Sequence, residues 1–322
     1  MFSRSEMIPT VRLDDADRDR AVQSLRQACI EHGFFYLEGH GIEPSFLHTV
    51  MEQSKSLFDL PLESKQQVRD PVLNRGYTAF EEETLDPSVQ TKGDTKEGFY
   101  IAKDIPKDNP EYKPSKLKGP QPWPTCEDQL DCHLFRTTME TYLHQASNVA
   151  LRLVQLLALA IGLDEHYFDE AFQDPVAVLR LLHYAKEQSA PQDGIYACGA
   201  HTDYGMITLL LTDENPGLQI FTLKGEWIDA PPRPHAFVVN LGDMLERWTN
   251  GMFRSTRHRV LTCAEYERYS IPFFFDPSFD TKVICIESCC SETNPPKWKP
   301  TTSGQHLLEK YKETHADFTP DH

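Results

Sequence analysis

No stretch of this 322-residue sequence stays apolar for long enough to cross a membrane. The most hydrophobic run, Leu151 to Leu163, is interrupted by Arg152, Gln155 and Gly162. The opening residues, Met-Phe-Ser-Arg-Ser-Glu, hold no apolar core of the kind that directs export, and the closing Pro-Asp-His is not a peroxisomal address. Basic residues are in deficit: 32 Lys and Arg against 49 Asp and Glu give a formal charge of -17. That balance offers no broad positive field to nucleic acid or an anionic membrane. Cys-x-x-Cys pairs are missing as well, so the 8 cysteines read as reduced, buried thiols rather than a disulfide framework or a zinc knuckle. Cys289-Cys290 is the one cluster among them. These absences, with no internal repeat or low-complexity tract, leave a soluble, cytoplasmic, monomeric globular protein. A chain of this length with 39% apolar residues can bury a sizeable core as one large domain or two ordinary ones.

What is present divides near residue 176. Before it the period is mainly helical. Asp17 to His32 carries Ala21, Leu25, Ala28 and Cys29 at helical spacing and stops at Gly33, a natural C-cap. Pro44 to Phe58 and Pro61 to Lys65 are further helices, with strands at Ile8–Leu13, Phe34–Leu37 and Lys96–Ala102. Lys103 to Cys126, rich in Pro and Lys, reads as a long surface loop. Glu127 to Ile161 should form one long or two abutting helices that back the core. After Val176 short apolar runs alternate with Gly and Pro turns to about Ile286, the pattern of a jelly roll or related two-sheet barrel. Ser303 to Thr314 closes the chain as a helix. The expected class is α+β: a double-stranded β-helix core at 176–290 supported by a mixed region at 1–125, backing helices at 126–175 and a C-terminal helix and tail at 291–322, all one structural unit.

Within the β-rich part, His201 and Asp203 stand two apart at the start of an apolar run with no helical period. On a strand, residues i and i+2 share a face. A second imidazole from a neighbouring strand, His258, would complete two histidines and one carboxylate on one side of a metal, a set that leaves open positions as non-haem Fe(II) oxygenases need. The other His-x-Asp, His315 to Asp317, lies in a polar tail with too little sequence after it to supply a distal histidine, and is read as a decoy.

The segment Asn240 to Val260, followed by Arg268-Tyr-Ser270-Ile-Pro-Phe-Phe-Phe, resembles the plant-type Fe(II)/2-oxoglutarate-dependent dioxygenases, the superfamily that includes isopenicillin N synthase. So do Gly33 to Gly41 and Leu179 to Tyr184, and the resemblance runs in order over nearly the whole chain. It implies Fe(II) held by His201, Asp203 and His258, with 2-oxoglutarate as co-substrate, dioxygen as oxidant and ascorbate as a candidate reductant. It further implies oxidation of a small molecule, most often by hydroxylation, with release of succinate and carbon dioxide. Arg268 and Ser270 match the family's Arg-x-Ser anchor for the distal carboxylate of 2-oxoglutarate, and guanidinium suits a carboxylate bidentately. Tyr184 matches the tyrosine that shares this task, although Leu182 and His183 stand where many relatives have Asn and Tyr.

Three other readings compete. An iron oxidase of the same family need not draw on 2-oxoglutarate. A non-catalytic ligand-binding relative would place no demand on the metal set. A zinc hydrolase could use two His and a carboxylate, but the chain has no helical His-Glu-x-x-His. Turn capping accounts for Asp243 and Asn250, a backbone turn for His40, and structural or supporting roles for His183, His235 and Arg259. Of Phe273, Phe274 and Phe275, one face at most reaches the pocket. The substrate is expected to be set by Glu81–Gly93, Lys103–Cys126, helix 44–58 and the C-terminal tail.

Overall fold

A computed structural model describes residues 8–126 and 130–314. The decoy at His315 to Asp317 lies outside them. The chain begins with β1 (Thr10–Arg12), α1 (Arg18–Glu31), β2 (Phe34–Glu38), α2 (Pro44–Phe58) and α3 (Leu62–Gln66). Strands β3 (Arg69–Asp70), β4 (Arg75–Thr78) and β5 (Lys96–Ala102) precede the backing helix α4 (Cys132–Ile161). The β-rich part holds β6 (Val176–Tyr184), β7 (Cys198–His201), β8 (Ile207–Thr212), β9 (Leu218–Phe221), β10 (Trp227–Asp229) and β11 (Phe237–Leu241). After the short α5 (Asp243–Trp248) come β12 (His258–Val260), β13 (Arg268–Asp276), β14 (Lys282–Val283), β15 (Thr301–Thr302) and α6 (Ser303–Thr314).

The caps lie where local chemistry requires them. The Asp17 side chain accepts from the Arg20 backbone N–H at the head of α1. Gly33 follows the helix with φ 64, a left-handed conformation that a side chain disfavours. Asp131 caps α4 and Gly162 ends it at φ 97, so the long apolar period is one helix of 30 residues. Leu134 points out of it, 47% exposed.

Nine strands form the major sheet in the order β1-β2-β11-β8-β13-β6-β5-β4-β3, and four form the minor sheet, β10-β9-β12-β7. Strand alternation splits the major sheet into two faces. Phe99, Leu179, Leu181, Leu209, Val239, Ile271, Phe273 and Phe275 join α1, α2 and α4 in the large helical core. Phe34, Tyr36, Leu182, Tyr184 and Val238 turn the other way and meet Cys198, Leu218, Ile220 and Val260 of the minor sheet. The site opens between the sheets, on this second face.

Two expectations need correction. Cys126 and Cys132 are joined in a disulfide with Cα atoms 4.8 Å apart, and of the free thiols only Cys29 and Cys198 are buried. The separation of six matches no redox or metal motif, and the two meet where Cys126 lies beside the first residue of α4. The second correction concerns the segments that shape the pocket. Helix α2 packs on α4, β6 and β13, away from the site, because its apolar stripe faces the helical core. The loop after Lys103 borders a cavity of about 360 Å³ that shares Tyr100 and Tyr311 with the smaller one touching His201 and Asp203.

Candidate metal centre and co-substrate pocket

His201 ends β7, His258 opens β12, and the two are paired directly across the antiparallel ladder. Asp203 follows two residues after His201. One ligand atom from each of the three residues lies within 4.8 Å of the others. The remaining polar atoms are already engaged. His201 Nδ1 meets the Gly199 carbonyl at 2.8 Å and His258 Nδ1 meets the Thr256 carbonyl at 3.1 Å, so both imidazoles keep Nε2 free. Asp203 Oδ2 accepts from Asn240 Nδ2 at 2.7 Å and from the Thr208 hydroxyl. Its Oδ1 faces the two Nε2 atoms at 3.5 and 3.6 Å. Such partners orient metal-binding groups and fix the histidine tautomer. The edge of Phe34 packs against the His258 ring with centroids 5.2 Å apart.

Electrostatics test the fit to a cation. Burial and the charge of neighbouring His201 push the His258 imidazole down to about 4. Burial alone would raise Asp203, but His258 and His201 outweigh it and hold the carboxyl below its usual range. For His201, burial opposes protonation, while the Cys198 sulfur and Asp203 prevail and raise it well above the usual range. These opposed shifts show how strongly the two imidazoles and the carboxylate act on one another, and a divalent cation fits at the point the three free atoms face.

Across the cavity, Arg268 is 1% exposed, and its Nε and Nη1 are buried without a hydrogen-bond partner. No salt bridge to Arg268 forms among the described residues, so the internal ion pair that would explain its burial is not what holds it. Its guanidinium lies 5.0 Å from the Tyr184 ring centre. Tyr184 is the cross-strand partner of Arg268, and Ser270 stands two residues on along the same face. Unmet donors on a buried cation carry a desolvation cost that a carboxylate would offset. Leu182, Leu210, Leu218, Val260 and Phe274 give this cavity, of about 70 Å³, its apolar lining.

A second cavity of about 60 Å³ also touches His201 and Asp203, lined by Glu83, Tyr100, Arg180, Tyr204, Phe274 and Tyr311 among others. Of the segments expected to shape the substrate, Glu83 and Leu85 represent the 81–93 region, and Leu307 and Tyr311 represent α6. Phe274 alone of its three neighbours reaches the pocket. His183 points to the opposite face, bonded to Glu97 at 2.7 Å and stacked on Tyr269. His40 bonds the Ile42 N–H and the His235 carbonyl, Arg259 covers Trp227, and Asn250 secures the carbonyls of Cys289, Asn294 and Pro295.

Several residues here are given no role by the sequence reading: Asn240 and Thr208, which orient Asp203, and the buried charges Arg180, Lys96 and Asp276. Arg180 had a legible signal, an arginine inside the apolar strand 176–184, the same oddity that marks Arg268. Asp276 accepts the Met206 N–H, and burial pushes its carboxyl up to about 7, with that hydrogen bond opposing and Asp203 adding to the shift. The folded state therefore binds this proton more tightly than the unfolded chain. Its contribution to stability is greatest below the ordinary value of 3.8 and is lost as pH rises towards about 7. Asp276→Asn should make the metal-free protein relatively more stable at pH 8 than at pH 5, compared with the parent, in urea melts. Parallel pH dependence in the two proteins would contradict this.

A metal-sized point faced by two imidazoles and one carboxylate, between the sheets of a jelly roll and opposite a buried guanidinium, defines the class of non-haem iron oxygenases. Comparison with known proteins gives the family. Residues 8–126 match the non-haem dioxygenase in morphine synthesis N-terminal family, and residues 175–277 match the 2OG-Fe(II) oxygenase superfamily. The chain is 36% identical to the 2-oxoglutarate-Fe(II) type oxidoreductase hxnY of Emericella nidulans, over 96% of this chain and 88% of that protein. Clavatol oxidase claD of Penicillium crustosum is 35% identical over 92% and 90% of the two chains. A solved full-length Neurospora crassa structure, in complex with alpha-KG and thymine, superposes with a TM-score of 0.83 at 29% identity, covering 97% of this chain and 98% of that one. The chain belongs to the 2OG-Fe(II) oxygenase superfamily, and it is an Fe(II)- and 2-oxoglutarate-dependent dioxygenase acting on a small molecule.

Proposed function

We propose that this enzyme hydroxylates a small ring compound, with His201, Asp203 and His258 holding the ferrous ion and Arg268, Ser270 and Tyr184 holding 2-oxoglutarate. The observation that carries the ligand roles is the set of three free atoms, two Nε2 and one Oδ1, left facing one point after every other polar atom of the triad has found a partner. Support for the co-substrate roles comes from the buried donors of Arg268 that nothing in the protein satisfies. A relative supports the ring: the Neurospora crassa complex holds thymine. Aromatic lining by Tyr100, Tyr204, Phe274 and Tyr311 suits such a compound.

When bound, iron and 2-oxoglutarate supply the oxidising power, as 2-oxoglutarate is decarboxylated to succinate and carbon dioxide while dioxygen is reduced. The protein's own part is geometric. Gly199 and Thr256 carbonyls hold the imidazoles in the Nδ1–H tautomer, Asn240 and Thr208 pin the carboxylate, and the apolar lining keeps water from the reacting centre. Arg268 sets one end of the co-substrate and thereby its register along the cavity.

The enzyme works as a monomer in the cytoplasm, without nucleic acid or membrane. A formal charge of -17 favours solubility and self-repulsion. Among the described residues no helix is long and apolar enough to cross a membrane. Anaerobic titration with Fe(II) and 2-oxoglutarate, followed by a metabolite screen for substrate-stimulated succinate release, tests the reading. One succinate per hydroxylated product is expected. Oxidised product without succinate would point to the oxidase chemistry instead.

A further inference from the structure

Cys126, Cys132 and His133 gather at the head of α4, where none of the residues discussed for iron or 2-oxoglutarate lies. One ligand atom from each of the three stands within 4.8 Å of the other two. Cys126 and His133 are exposed and Cys132 is half-buried, so reagents and ions in solution reach the group. We propose that the Cys126–Cys132 disulfide is reversible and that its reduced form, together with His133, is a second metal site for a thiophilic divalent cation of the zinc class. No motif in the sequence announces this site; the meeting of the three side chains does.

The chemistry balances in two steps. A low-molecular-weight dithiol breaks the S–S bond, leaving two protein thiols while it closes to its own disulfide. A divalent cation then displaces the two thiol protons and is held by two thiolates and one imidazole. Zinc accepts three such protein ligands with water in the fourth position, and bonds of about 2.3 Å to sulfur and about 2.0 Å to nitrogen set its ligand atoms about 3.5–3.8 Å apart. The three side chains reach that spacing once the sulfurs rotate out of bonding contact. The head of a 30-residue helix favours the negative charge of the thiolates. Soft sulfur ligands select zinc, whereas His201, Asp203 and His258 offer only nitrogen and oxygen, so the two sites draw on different ions.

Contacts on both flanks hold the group together without the bond. Upstream, the Trp123 ring packs edge-on against Phe135 with centroids 6.2 Å apart, lies 5.1 Å under the Arg136 guanidinium and donates to Asp104 at 3.2 Å. Downstream, Leu130 is buried in the helical core, and the Asp131 carboxylate accepts from the His133 and Leu134 N–H groups at 3.1 and 3.0 Å. Opening the disulfide therefore leaves both thiols beside His133, and ligands already held in place lose little freedom when a cation binds.

The test uses the full chain loaded with Fe(II) and 2-oxoglutarate, without dioxygen, so that the oxygenase site is filled. Thiols are counted before and after treatment with dithiothreitol, which is then removed by gel filtration, and Cd²⁺ is titrated as a spectroscopic stand-in for zinc, with Zn²⁺ in competition. Reduction should expose two further thiols and create one site with thiolate-to-metal absorption in the ultraviolet. Disulfide-bonded protein and Cys132→Ser should bind Cd²⁺ at least about a hundredfold more weakly than the reduced parent, and His133→Ala at least about tenfold more weakly. No gain of thiols on reduction, the same absorption in the oxidised and reduced parent, or full affinity in Cys132→Ser would overturn the proposal. Should the variants fold poorly, the two redox forms of the parent decide the matter by themselves.

Discussion

Asp203→Ala abolishes turnover and iron binding while leaving a folded protein. Asp203 is the proposed anionic ligand, and without it only two neutral imidazoles would remain to hold the divalent cation. Loss of at least about a thousandfold in substrate-dependent succinate formation is expected, equivalent to roughly 4 kcal/mol at the barrier. The fold survives because the cost is local. Asn240 Nδ2 and the Thr208 hydroxyl lose their acceptor, at about 1–3 kcal/mol for each group left unsatisfied, against a typical domain stability of roughly 5–15 kcal/mol. Relief of the charge next to Asp276 works in the opposite direction and offsets part of this. Iron content after anaerobic loading, succinate yield and a thermal melt check the three parts. A variant that keeps a tenth of the activity or a full complement of iron would remove Asp203 from the ligand set.

Arg268→Ala raises the requirement for 2-oxoglutarate by about a hundredfold, with much less effect at saturation. Truncating one side of a buried hydrogen-bonded charge pair costs roughly 2–5 kcal/mol, and each 1.4 kcal/mol is tenfold in affinity. The position has a second signature. In the ligand-free enzyme the guanidinium is 1% exposed with unmet donors, so its removal should not lower, and should tend to raise, the melting temperature. What disappears is the stabilisation conferred by added 2-oxoglutarate, which follows mass action. Arg268→Lys should fall between the two, since an ammonium keeps the charge but not the planar fork. Unchanged co-substrate affinity in the alanine variant would refute the anchor role.

Alternation along strands explains why so much of the site can be read from residue order alone. Arg268 and Ser270, two apart in an apolar strand, can only be neighbours on one face, and the apolar surroundings make their burial a local inference; Asp203 lies beyond the end of β7, so strand alternation does not by itself set it beside His201. Helix α1 is equally legible, because Asp17 and Gly33 carry the start and stop signals in their own side-chain and backbone preferences, whereas the apolar period of 127–161 leaves one helix or two open until the fold shows a single α4. Arg180 is an intermediate case. Its place in an apolar strand marks it as unusual, but its meaning depends on Glu83, 97 residues away, and on Lys96 and Asp94 from a third stretch.

Residue order by itself determined the period of most elements and the faces those periods define, the shared face of Arg268 and Ser270 among them, since these depend on backbone geometry over two or three residues. Tertiary structure alone decided that β7 and β12 lie side by side to bring His258 to His201, that α2 turns away from the pocket, that Cys126 meets Cys132, and that four buried charges balance beside the substrate cavity. Each of these is a meeting in space of segments that carry no mark of one another. The free energy of such a meeting comes from burial and charge pairing, which depend on distance through the folded protein and not along the chain.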